Sequence, residues 1–154
     1  MPDWLTHTLI GWISGKITKL DISLVVIGAL IPDLVKINIV FVWLRIDHLF
    51  LFEPIHTPIG AILIGGVISL FFKDCKKAFI ALCFGIITHF ILDFFLVHVT
   101  GGMKLFYPIS WKEWQIYIIR SDEYLITVIT IFLTILVFLY YYLKNKQKNI
   151  KKVI

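Results

Sequence analysis

The chain has 154 residues, 59% of them hydrophobic and 16% charged, with a mean hydropathy of +0.90 and a formal net charge of +5. Soluble domains run at about 45–50% apolar and about 25% charged, so this composition excludes an ordinary soluble domain and indicates an integral membrane protein. The only two cysteines, Cys75 and Cys83, have no CxxC spacing, which argues against a disulfide framework or a Cys-type zinc site; both read as reduced and structural.

There is room for one all-α domain of about four spans at about 20 residues each, plus a short N-terminal helix. Residues 1–143 are expected to form that membrane domain and 144–154 a basic tail. Met1-Pro2-Asp3-Trp4 lacks the basic n-region and cleavage site of a signal peptide, so the N-terminus reads as mature structure. From Trp4 to Ser14 runs a short apolar segment containing His7, with Gly11 and Gly15 at a spacing that lets membrane helices approach closely. A polar connection from Gly15 to Asp21 follows, and Asp21 is placed to cap the next helix.

The span from Ile22 to Leu44 is interrupted by Pro32, Asp33, Lys36 and Asn38. Pro32 removes a backbone donor and predicts a break, and a broken membrane helix beside a carboxylate usually lines a cavity. Arg45 to Pro58, with Asp47, His48, Glu53 and His56, reads as a connection. Ile59 to Phe72 is the next helix, and Lys73 to Lys77 a basic turn. Ala78 to Val97 is the central helix, followed by a long loop from His98 to Arg120. That loop's Phe106, Tyr107, Trp111, Trp114 and Tyr117 suit a membrane interface. Glu123 to Tyr142 is a last span, followed by lysines from Lys144 to Lys152. Nucleic-acid binding is one reading of that run, but directly after an apolar span topology is the better one, and no nucleic-acid partner is expected.

Lys16, Lys19, the turn at Lys73, Lys76 and Lys77, and the C-terminal lysines alternate so as to share one side. The positive-inside rule makes that side cytoplasmic; the expected location is the plasma (inner) membrane. His7 is nine residues from Lys16, Asp33 twelve from Asp21 and His89 twelve from Lys77. At 1.5 Å per residue these positions lie roughly 13–18 Å deep, with Asp93 and His56 one to two turns farther out.

His89 and Asp93 stand at i and i+4 and therefore share one helix face. Each polar residue also has a plain structural reading. His7 and His56 suit interhelical or interfacial contacts, Asp33 a helix cap, and His89 with Asp93 a private hydrogen-bonded pair. Taken together, three imidazoles and two carboxylates at one depth would need five separate compensations, and convergence on a metal satisfies all of them. A His/Asp set without thiolate suits Zn²⁺, with Mn²⁺ or Fe as alternatives, and five ligands allow one ion or two. Thr6, Thr57 and Thr88 flank the histidines and are candidate supports for the ligands.

An N-terminal Thr6-His7 followed by Gly11, the Ile31-Pro32-Asp33 segment, His56-Thr57, and Thr88-His89 with Asp93, then Gly101-Gly102 through Tyr107-Pro108, together resemble the YdjM-type proteins. The resemblance covers roughly residues 1 to 111 and implies a membrane-bound, metal-dependent hydrolase. One departure is visible: where the family often has His-Arg-Gly, this chain has Leu51-Phe52-Glu53.

The resulting expectation is a membrane-embedded hydrolase of an ester or phosphoester in a lipid-like substrate drawn from membrane lipids. His7, Asp33, His56, His89 and Asp93 are the metal ligands, Asp33 or Asp93 also serves as catalytic base, and Lys104 and Tyr107 contact the substrate head group. The alternatives are a metal or proton transporter, or a non-catalytic scaffold stapled by a structural metal.

Overall fold

The computed structural model describes residues 4–44, 53–97, 102–116, 119–120 and 124–153. Arg45, Asp47, His48, Leu51, Phe52, His98, Gly101, Tyr117 and Glu123, discussed above, lie outside them. The fold is helical: α1 (Trp4–Thr18), α2 (Ile22–Leu30), α3 (Asn38–Trp43), α4 (Pro58–Ser69), α5 (Cys75–Phe94) and α6 (Leu125–Val153), with 3₁₀ turns at Pro32–Ile37 and Glu53–His56. Two helices, Cys75–Phe94 and the Leu125–Lys148 part of α6, are long and apolar enough to cross a membrane. At about 1.5 Å per residue, α5 reaches about 30 Å, the thickness of a hydrocarbon core.

Several boundaries differ from the sequence expectation. Helix α1 does not stop at Ser14 but runs through Thr18, whose hydroxyl donates to the Ser14 carbonyl at 2.7 Å instead of breaking the helix. The reversal falls at Lys19, with a left-handed φ of 60°. Asp21 then caps α2 as expected, its Oδ1 accepting from the Leu24 N–H at 3.1 Å. The span from Ile22 is broken at Pro32, as the missing N–H requires, into α2, a 3₁₀ turn and α3.

Helix α4 starts at Pro58 because Thr57 caps it, and Asp74 starts α5 before Ala78 by accepting from the Lys77 N–H at 3.4 Å. Lys77 Nζ also lies 2.6 Å from Asp74, holding that exposed carboxyl below its ordinary range. Helix α5 ends at Phe94. Beyond it Leu96–Val97 (β1) pairs in parallel with Ile119–Arg120 (β2). Met103 and Trp114 exchange two 2.9 Å backbone bonds, which folds the following loop back and buries the Met103 side chain in the core. Helix α6 continues through the lysine-rich stretch to Val153.

The core sits where α2 crosses α5, with Val25, Leu82 and Ile86 fully enclosed and Ile31, Ala61 and Phe90 around them. Two glycines permit that crossing. A Cβ on Gly28 would run into the Leu82 carbonyl, and one on Gly85 into the Val25 carbonyl. The backbones are thus in direct contact, the arrangement that small residues allow between membrane helices. Helix α1 packs on α2 and α5, α4 packs on α5, and α6 lies outside against α1.

Candidate metal centre

The glycine crossing fixes the position of the central histidine. With α5 lying directly on α2, the His89 ring reaches the last turn of α2, and its Nδ1 stands 2.7 Å from the Ala29 carbonyl oxygen. A carbonyl only accepts, so Nδ1 carries the hydrogen. The other nitrogen, Nε2, is therefore the one turned into the cluster. It faces Asp93 Oδ2 at 3.2 Å and His56 Nε2 at 3.4 Å.

The remaining donors arrive from separate segments. His56 ends a 3₁₀ turn held by Thr57, whose hydroxyl donates to the Pro54 carbonyl at 2.6 Å and accepts from the Gly60 N–H at 3.1 Å. A Cβ on Gly60 would run into the Pro54 carbonyl, so the turn needs glycine there. His56 Nε2 lies 3.1 Å from Asp93 Oδ2. His7, on α1, stacks its ring on that of His89 with centroids 3.8 Å apart and an interplanar angle of 16°. Its Nε2 lies 3.3 Å from Asp93 Oδ1. Asp33, at the helix break, is gripped on Oδ2 by Lys36 Nζ at 2.7 Å.

All five sequence-predicted donors therefore converge. One ligand atom each from His7, Asp33 and His89 lie within 4.8 Å of one another, as do those of His56, His89 and Asp93, so two triads share His89. His7, Asp33, His89 and Asp93 are buried, and access comes from the side of His56 and Lys36, whose side chains are 17% and 20% exposed. Phe90 closes the cluster edgewise, 5.8 Å from the His56 ring and 5.5 Å from the His89 ring.

The donor set fits a cation. His7 Nδ1 and Asp33 Oδ1 are buried without a hydrogen-bond partner among the described residues. Each such group costs about 1–3 kcal/mol, against a typical fold's 5–15 kcal/mol. Donors at about 2.0–2.2 Å from one tetrahedral ion stand roughly 3.3–3.6 Å apart. The 3.1–3.4 Å separations around Asp93 and His89 lie close to that spacing.

A family model described as YdjM inner membrane protein matches residues 3–152. The chain belongs to the YdjM inner membrane protein family. No curated protein and no solved structure matches it. In this family member the threonines beside the histidines serve the scaffold. Thr57 caps α4, Thr88 donates to the Gly85 carbonyl at 2.7 Å, and Thr6 meets Thr127 of α6 at 3.0 Å. Lys104 and Tyr107 meet at Trp111, the ammonium 5.3 Å from its ring centroid and the phenol ring 5.0 Å away edgewise. Leu51 and Phe52, where the family pattern departs, lie outside the described residues.

Sequence reasoning did not single out Lys36 or the Ala29 carbonyl. Lys36 had a signal: at i+3 from Asp33 it shares a face with it in a 3₁₀ turn. The Ala29 carbonyl had none, because every residue carries a carbonyl.

Proposed function

We propose that this family member is a membrane-embedded, metal-dependent hydrolase acting on an ester or phosphoester of a lipid-like substrate. Its broken α2–α3 stretch and the short α4 serve as spans beside α5 and α6, giving about four, with the C-terminal lysines in the cytoplasm. The observation that carries the reading is His89. Its Nε2 is turned to a carboxylate oxygen and a second imidazole nitrogen inside an apolar bundle, an arrangement that a cation between them would satisfy.

His7, Asp33, His56, His89 and Asp93 would hold the ion or ions. A divalent metal bound there supplies a water of lowered pKa and polarises an ester or phosphoryl oxygen. Ala29 orients the His89 ring and fixes its tautomer. Lys36 draws one oxygen of Asp33 to itself and leaves Oδ1 directed to the cluster. Its part-exposed ammonium stands beside the cluster and is suited to an anionic phosphoester. Asp33 and Asp93 are the carboxylates available to accept a proton from an attacking water.

Elemental analysis of the detergent-solubilised protein, beside His89→Ala/Asp93→Ala, tests this. One or two metal equivalents in the wild type, lost in the variant, together with hydrolysis of phospholipids or isoprenoid phosphates, is the expected result. A wild type that stays metal-free after reconstitution with zinc, manganese and iron refutes it.

A further inference from the structure

A polar–apolar cavity of about 490 Å³ lies away from the metal cluster, between the start of α2 and the start of α5. Lys77, on its rim, is twelve residues from His89 along α5, about 18 Å away by helix rise, so the two sites are separate. We propose that this cavity binds the phosphate of an anionic phospholipid.

Three cations ring it: Lys19, Lys73 and Lys77. Its two carboxylates, Asp21 and Asp74, already hold partners. Asp21 accepts from the first turn of α2, while Asp74 accepts from that of α5 and pairs with Lys77 at 2.6 Å. Lys19 and Lys73 have no carboxylate partner among the described residues. Three ammoniums against two carboxylates leave one positive charge in excess at the mouth, where an anion is favoured.

Below the cations the wall changes character, to Leu24, Phe72 and Ile80. Phe72 and Ile80 are exposed, the latter on a helix that fits a bilayer. A free phosphate would leave this apolar wall uncovered, whereas a phospholipid covers it with its glycerol and upper acyl chain. Basic pockets between membrane helices recognise anionic head groups in this way.

Native mass spectrometry of the full-length protein tests the proposal, with phosphatidylglycerol and phosphatidylcholine of identical chains, and inorganic phosphate as competitor. The wild type is expected to retain phosphatidylglycerol preferentially. Lys19→Gly with Lys73→Gln is expected to lower that retention about thirtyfold, from the usual worth of two interfacial cations. Glycine suits the left-handed φ of residue 19, so the thermal midpoint holds or rises and misfolding does not mimic the loss. Equal retention of the two lipids by the wild type overturns the proposal, as does unchanged retention in the double variant. Displacement by equimolar inorganic phosphate overturns the lipid assignment.

Discussion

Replacing Gly85 by alanine is expected to part α2 from α5 and, through that movement, to weaken metal binding at a distance from every ligand. The added Cβ would stand 2.7 Å from the Ala29 nitrogen and 2.9 Å from Gly28 Cα, besides running into the Val25 carbonyl. Comfortable carbon contacts lie at about 3.5–4.0 Å, so the helices must separate by roughly 1 Å or more. That movement carries the His89–Ala29 bond from 2.7 Å to beyond hydrogen-bonding range. Overpacking costs about 1–3 kcal/mol and the lost bond about 0.5–1.5 kcal/mol, for a total of about 2–4 kcal/mol. Freeing a metal-bound imidazole from its orienting partner typically lowers metal affinity about tenfold to a hundredfold. Chemical unfolding in detergent and zinc competition with a chelator measure both effects. Gly66→Ala is the control: its Cβ meets nothing closer than Phe79 Cε2 at 3.7 Å, and about 0.5–1 kcal/mol of stabilisation is expected. If Gly85→Ala matches Gly66→Ala in stability and affinity, the crossing does not position the histidine.

Two further outcomes follow from the site. Lys36→Gln removes the cation on Asp33 and is expected to raise KM for a phosphoester severalfold more than it lowers kcat, with metal content retained. Loss of metal instead would make Lys36 a support for Asp33 alone. Thr57→Ala removes the α4 cap and the grip on Pro54, costing about 1 kcal/mol. Because the same turn ends in His56, it is also expected to weaken metal binding, whereas Asp21→Ala, a cap of similar worth at α2, should leave affinity unchanged.

Much of the site was legible because the chemistry is costly in this setting. A histidine or aspartate in an apolar helix needs a partner, and counting residues from the lysine turns put His7, Asp33 and His89 at one depth before any fold was known. Pro32 and Asp21 were legible because a missing N–H and a capping carboxylate act locally. What stayed hidden was set by contacts between segments. Gly28 and Gly85 look like ordinary membrane glycines until α2 and α5 are laid across one another. The ends of α1, α4 and α5 shifted by a few residues because Thr18 satisfies its hydroxyl within the helix, while Thr57 and Asp74 cap earlier than hydropathy alone suggested. The Met103–Trp114 pairing depends on a backbone approach that leaves no trace in residue type.

The scatter of the five donors along the chain bears on how the protein comes into being. His7, Asp33 and His56 stand on different segments from His89 and Asp93, so no fragment of the unfolded chain brings the full set together. On the proposed function, affinity for an ion would belong to the assembled bundle, and ion binding and assembly would become one linked equilibrium. An ion present at a hundred times its dissociation constant would hold the bundle together by about 2.7 kcal/mol. Scarcity of the ion would therefore register first as a smaller amount of protein in the membrane, cleared by proteolysis, before it registered as idle protein.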